Sequence, residues 1–464
     1  MEWIKEKASW LWTEVIVKWF NENILDMFRP ETYTDYVYLI STILTTLLGL
    51  LAAHFVIFGI VGVFKKKVFP VSSEKLTYGI IVAARNEEAV ISNIVESAKS
   101  MNYPQDKLKV FVIAHNCTDN TAKLAREAGA IVYEYNNDKE RTKGYALHHI
   151  FNCIIRDYGI DCCDGYLVHD ADNIFDTNYL SKMNDAFVAT GRTNTIKAFL
   201  SSKNFGANPM SAIYGLFWLN CCRFENRGRT VLNCSTRIAG TGFLFSKEVV
   251  RNGWNYLTLT EDWEFSADQI IGGSKVYYCD EATFFDEQPT SVKIMWRQRV
   301  RWARGHLLVC VTRLGKLLKS LFLPKSKGGS KHKMSTYDIL SNIIPSNLLS
   351  TIISVAQVIL FALTPLFEEK TFGTVAIDWL MSFATGLLSA YVSSFLLAIV
   401  LYIIEHKRVG KISFGTRVLS VLLYPLFGMI NNIIVVVALF SKNLQWKTIP
   451  HNDKTKAVKL KANE

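Results

Sequence analysis

From Tyr38 to Phe64 the chain carries no formally charged residue, and Lys65, Lys66 and Lys67 follow at once. Few folds other than a helix across a bilayer accommodate such a run, because about twenty apolar residues span the hydrocarbon and basic residues gather on the cytosolic side. Residues 36–67 are therefore read as a transmembrane helix whose C-terminal end lies in the cytosol. Composition agrees: half of the 464 residues are hydrophobic, 20% are charged, and the mean hydropathy is +0.15. That excludes disorder and is unusual for a soluble enzyme. The net charge of +11 fits lysines flanking membrane spans better than nucleic acid, and no helix-turn-helix, zinc spacing or aromatic-basic interleaving is evident. All nine cysteines lie between Cys117 and Cys310 with no CxxC pair, a pattern of small core residues in a reducing compartment.

Residues 1–33 set Ile4, Leu11, Trp12, Val15, Ile16 and Trp19 against Glu6, Lys7, Glu14 and Lys18 at helical spacing. They read as an amphipathic helix lying at the membrane interface. Beyond the polar middle of the chain, 337–404 holds two further apolar segments, Ile343–Phe367 and Ala376–Ile404, joined by Glu368 and Glu369. The third, Val418–Phe440 within 412–441, contains Pro425, Gly428, Asn431 and Asn432 and precedes a lysine-rich tail, 442–464. An interfacial or re-entrant helix there keeps the tail cytosolic; a full crossing is the alternative.

Between Leu76 and Asp172 apolar runs alternate with helical patterns: Tyr78–Ala84, a helix from Glu88, Leu108–Ala114, a helix from Thr121, Ile131–Glu134, a helix from Lys143, and Gly165–Val168. This βαβαβαβ order predicts an α/β domain over 72–293, a mainly parallel sheet with helices on both faces. Ligands of such sheets collect at the carboxyl ends of the strands, where Arg85-Asn86-Glu87, His115 to Asp119 and Asp170-Ala171-Asp172 fall. Two carboxylates one residue apart suit a divalent cation bridging a diphosphate, although one of them can equally cap a helix. Thr260-Glu261-Asp262 are ordinary helix-start residues as well as a candidate acid pair. Within 294–333, read as interfacial helices and a linker, Gln298, Arg301 and Trp302 project from one side of a helix. The guanidinium suits phosphate and the indole suits a sugar ring, while a basic membrane-surface helix has the same composition.

In order, Arg85-Asn86-Glu87-Glu88, Asn116-Cys117-Thr118-Asp119, Lys143-Gly144-Tyr145-Ala146-Leu147, Asp170-Ala171-Asp172, Gly240-Thr241-Gly242, Thr260-Glu261-Asp262 and Gln298-Arg299-Val300-Arg301-Trp302 resemble the motifs of membrane-integrated family 2 glycosyltransferases, the group of cellulose synthase and poly-N-acetylglucosamine synthase. The resemblance implies a GT-A (Rossmann-like) cytosolic domain inserted between transmembrane and interfacial helices of a plasma-membrane protein. It implies a donor site of Ala84, Glu87, His115, Lys143, Asp170, Arg301 and Lys447, with Mg2+ or Mn2+ on Asp172 and Asp170. Asp262, with Glu261 beside it, matches the general base of an inverting transfer, and Gly242, Gln298 and Trp302 match the acceptor side. UDP-sugar is the implied donor. Where the family often carries acidic residues at the end of the second strand, this chain has Ala114 and His115; His115 either replaces that contact or caps the turn. Trp446-Lys447-Thr448 looks like the loop that closes over the donor in cellulose synthases. A growing β-linked glycan is the expected acceptor, a membrane lipid the alternative, and a non-catalytic membrane subunit a third reading, against which the retained acids and Q-x-x-R-W residues speak.

Overall fold

The computed structural model describes residues 29–441 together with Lys7, Thr13, Glu14, Lys18 and His451. Most of the expected 1–33 helix, and the tail with Trp446, Lys447 and Thr448, lie outside the described residues. The chain divides into two units, 1–54 with 347–392 and 55–346 with 393–464.

Helix α1 (Tyr33–Phe64) contains the uncharged run. The larger unit then builds an eight-stranded sheet from β1 (Tyr78–Ala84), β2 (Leu108–His115), β3 (Ile131–Tyr135), β4 (Gly165–Asp170), β5 (Ile174–Phe175), β6 (Thr195–Ser202), β7 (Phe243–Ser246) and β8 (Val276–Asp286), in the order β3-β2-β1-β4-β7-β6-β8-β5. Every residue of β1 is buried, as the unbroken apolar run Tyr-Gly-Ile-Ile-Val-Ala-Ala requires of a central strand covered on both faces. The quartet β3-β2-β1-β4 is parallel. The expected mainly parallel sheet is in fact mixed, since β7 runs antiparallel to both β4 and β6, and β5 antiparallel to β8.

Helices α2 (Ile91–Lys99), α3 (Thr121–Glu127), α4 (Lys143–Tyr158), α5 (Tyr179–Ala189), α6 (Pro209–Asn220), α7 (Gly228–Val231) and α8 (Glu261–Ile271) complete this body. Helix α2 begins three residues after Glu88 because the backbone before it is held elsewhere: Glu87 N–H donates to Thr121 Oγ1 (2.8 Å) and Glu88 N–H to an Asp119 carboxylate oxygen (3.2 Å). Two apolar cores, one on each face of the sheet, fix the strand ends against α2 and α5 on one side and α4 on the other.

The Q-x-x-R-W residues lie on one long helix, α9 (Val292–Phe322), followed by α10 (Lys333–Ile343). Then come α11 (Ser346–Ala362), α12 (Phe372–Ile404) and α13 (Phe414–Phe440). Among the described residues, four segments, α1, Ser346–Leu366, α12 and α13, are long and apolar enough to cross a membrane. Helix α13, expected to lie at the interface or re-enter, is one unbroken rod through Pro425. It packs on α6 and α9, where Arg299 donates to the Phe427 carbonyl (2.6 Å) and to Asn431 Oδ1 (3.2 Å). After α12, Arg408 shares buried Asp280 of β8 with Arg227, both guanidiniums donating to its carboxylate at 2.8–2.9 Å. In the smaller unit, Val37, Phe361 and Val375 form a buried cluster, and the Tyr33 hydroxyl donates to the Leu360 carbonyl.

Candidate active site

The carboxyl ends of β1, β4 and β8, the N-terminus of α8 and one face of α9 surround a cavity of about 270 Å³. Strand β4 ends on Asp170, whose N–H donates to Thr241 Oγ1 (2.9 Å). Its carboxylate accepts from Lys143 Nζ at 2.5 Å, and the same ammonium stands 4.0 Å from Glu261. Burial opposes charge on both members of the Lys143–Asp170 pair, but their mutual attraction outweighs it: the lysine pKa is raised and the aspartate pKa lowered.

Asp172 is 4% exposed and accepts the Glu287 N–H at 3.0 Å. Asp286 lies beside it, held by Asn173 Nδ2 at 2.7 Å. Burial, and then the Asp172 and Asp170 carboxylates, push the Asp286 carboxyl well above the usual range. Such crowding of hard oxygens is the chemistry a divalent cation such as Mg2+ or Mn2+ accepts, so the donor set fits the ion.

On the opposite wall, α8 starts with Glu261 and Asp262, both buried. Asp262 Oδ2 accepts the Gly240 N–H at 2.5 Å. Burial raises its pKa, although the Gly240 and Trp263 N–H groups pull the other way. Burial pushes Glu261 up to about 7, with Lys143 opposing and Asp262 adding to the rise. Gly305 lets α9 close on this turn, since a Cβ there would stand 2.4 Å from the Thr260 side chain. One turn earlier, Arg301 Nη1 donates to the Leu259 carbonyl at 3.0 Å. Gln298 Oε1 accepts the Tyr214 hydroxyl at 2.9 Å, and the Trp302 ring meets Trp218 edge-on, centroids 6.2 Å apart.

The cavity thus brings together Glu87, Lys143, Asp170, Asp172, Glu261, Asp262, Gln298, Arg301 and Trp302. Three expected residues stand elsewhere. Ala84 points away and its neighbour Ala83 lines the cavity instead, the consequence of strand alternation. Gly242, at φ +74°, lies against the Phe284 ring, which a Cβ would strike at 2.1 Å; its role is to let the loop pass. His115 is buried, its Nε2 2.7 Å from the Glu140 carbonyl and its ring stacked on Tyr135. That contact ties the end of β2 to the loop before α4. Burial, offset in part by the Glu140 carbonyl, takes its pKa down to about 4.

Sequence reasoning missed Trp218, Arg237, Asp286, Glu287 and His451, all in the cavity wall. Asp286 and Glu287 directly follow the apolar end of β8 and were findable by the strand-end rule.

A family model described as "Glycosyltransferase like family 2" matches residues 76–305, the span that contains every one of these motifs. Residues 76–305 are a family 2 glycosyltransferase domain. A solved mannosyltransferase from Pyrobaculum calidifontis, in complex with GDP-Man and Mn2+, is 15% identical, with a TM-score of 0.52, covering 86% of this chain and 99% of that one; the likeness shows the shared GT-A fold. Among curated relatives, the β-monoglucosyldiacylglycerol synthase of Nostoc is 26% identical over 239 residues, 49% of this chain and 48% of that protein. The poly-β-1,6-N-acetyl-D-glucosamine synthase of Staphylococcus aureus is 24% identical over 234 residues, 48% of this chain and 53% of that protein. The chain spans about half the length of the curated relatives it matches.

Proposed function

We propose that the protein is an inverting membrane glycosyltransferase that transfers a sugar from a UDP-sugar to the hydroxyl end of a growing β-linked glycan on the cytosolic side of the plasma membrane and exports the product. The observation that carries this reading is the cavity in which paired acids, a lysine, three arginines and three indoles meet. Lys143 and Arg301 lie where a diphosphate would be held. Asp172 and Asp170 would hold Mg2+ or Mn2+, which when bound offsets the charge developing on the leaving nucleoside diphosphate. Asp262 takes the proton of the acceptor hydroxyl as its oxygen forms the new bond to the anomeric carbon and the bond from that carbon to the diphosphate oxygen breaks; attack from the opposite face inverts the centre. Its burial makes it a stronger base than an exposed aspartate.

The Trp218–Trp302 pair favours a saccharide acceptor, because sugar rings stack on indole faces whereas a diacylglycerol hydroxyl offers no ring. The Nostoc relative, named for a glucosyldiacylglycerol product, supports lipid glycosylation as the second reading. The test is purified protein in lipid with Mg2+ or Mn2+ and a panel of radiolabelled nucleotide sugars. High-mass label sensitive to a β-glycanase supports the glycan reading. Label that extracts into organic solvent rejects it in favour of the lipid, and no release of nucleoside diphosphate from any donor rejects both.

A further inference from the structure

A second cavity, of about 360 Å³, adjoins the catalytic one and shares Arg237 with it. Part of its wall is a stretch of π-helix, Cys221–Arg227, which joins α6 to α7 and carries Phe224 and Glu225. Such turns are rare inside helices and gather at functional positions. Gly62 and Gly228 let the end of α1 pack on this stretch backbone to backbone, and Phe55 and Phe58 of α1 complete the apolar side of the cavity.

Two arginines line it, and each has only part of its guanidinium engaged. Arg229, 1% exposed, donates from Nε and Nη2 to Asp338 at 2.7 and 2.9 Å, with its Cζ 5.0 Å from the centre of the Phe58 ring. Arg237 donates from Nη2 to Glu225 at 2.5 Å. The rest, Arg229 Nη1 and Arg237 Nε and Nη1, is buried with no acceptor among the described residues. Glu225 Oε2, 3.8 Å from Arg229 Nη1, is too far to accept. Buried donors left unpaired are costly, most of all on a charged group. Since all three are donors, the fitting ligand brings acceptors and no protons of its own. Sugar hydroxyls bring both, whereas phosphate oxygens only accept and match the guanidinium fork.

We propose that this cavity binds the phosphate of a bilayer phospholipid, its oxygens on Arg229 and Arg237 and its glycerol end against Phe55 and Phe58. The apolar side selects a lipid over a free phosphate, because two of its three phenylalanines stand on a helix of bilayer-crossing length and arginine pockets beside such helices suit lipid head groups. None of the residues assigned above to donor, metal or acceptor lines the cavity. The bound phosphate is nevertheless one side chain from the chemistry: Arg237 lies with its Cζ 5.0 Å from the centre of the ring of Trp263, the residue after Asp262.

The test needs no sugar transfer, so failure of the glycosyltransferase reading leaves it intact. Full-length protein, delipidated in detergent, is titrated with dioleoylphosphatidylglycerol, with dioleoylglycerol and with glycerol 3-phosphate, and bound molecules are counted by native mass spectrometry. One saturable phosphatidylglycerol per chain is expected, held at least about tenfold more tightly than either other ligand. Arg237→Gln, and Ser341→Phe, which fills the cavity while both arginines remain, should each weaken that binding about tenfold. Glycerol 3-phosphate bound as tightly as the phospholipid overturns the lipid, and dioleoylglycerol bound as tightly overturns the phosphate. Absence of saturable binding to wild type, or binding unchanged in either folded variant, overturns the site; the three-ligand comparison on wild type decides the matter even where a variant fails to fold.

Discussion

Replacing Asp262 by asparagine isolates proton transfer from the rest of the site. The side chain keeps its shape, and Asn Oδ1 can still accept the Gly240 N–H that Oδ2 now accepts at 2.5 Å, so the α8 start and the Gly240 loop should hold. Only the ability to take a proton is lost. A positioned general base contributes roughly 10²–10⁴ in rate, and at about 1.36 kcal/mol per decade that is about 2.7–5.4 kcal/mol of transition-state stabilisation. The upper half of that range is expected here, because burial raises this carboxyl and excludes the water that would otherwise serve as a substitute base. The assay is single-turnover transfer from a radiolabelled donor, read beside nucleoside diphosphate affinity. Turnover should fall at least about 10³-fold while nucleotide affinity stays within about threefold. A variant that retains more than a tenth of wild-type turnover would refute Asp262 as the base. If Glu261→Gln instead suffers that loss, the proton passes to the neighbouring acid.

The Glu261 carboxyl, pushed up to about 7 mainly by burial, should give kcat/KM an acidic limb: activity rises as pH climbs through 7 and the group ionises. In Glu261→Gln that limb should move to lower pH, and a limb unchanged near 7 assigns it to another group. Asp280, which Arg408 and Arg227 hold below the usual carboxylate range despite its burial, contributes stability present above about pH 4 and lost as pH falls further. Asp280→Asn, leaving two guanidiniums without a countercharge, should cost about 3–5 kcal/mol, seen as a lower melting midpoint in nanodiscs; an unchanged midpoint would show that solvent screens the network.

Much of the catalytic body is legible because its central strands are unbroken apolar runs with polar residues at their carboxyl ends, as in Tyr78–Ala84 followed by Arg85. The second half of the sheet is not. Strand β8 carries Asp280 and Glu281 in its interior, a pattern that reads as loop until Arg227 and Arg408 are seen to neutralise the first and Lys66 and Lys182 to face the second. In the site, D-x-D, T-E-D and Q-x-x-R-W are legible because each puts chemistry at fixed local spacing. Trp218 is hidden in a helix apolar on all sides, and His451 sits in a tail with no local pattern to mark it. Ala84 and Gly242 mark the limit of motif matching: a motif identifies a loop, but which residue of it faces the substrate depends on the pleat and on what packs behind.

The Arg299 guanidinium ties α9 to α13 by the Phe427 carbonyl and Asn431, with its Cζ 4.0 Å from the centre of the Phe427 ring. Gln298 and Arg301 flank that anchor on the same helix. On the proposed function, a rod of bilayer-crossing length holds the residues assigned to the acceptor, and a tilt that matched it to its lipid surroundings would be delivered to Gln298 and Trp302 as a displacement. Acyl-chain length in the host membrane would then become a determinant of how well the acceptor end is seated.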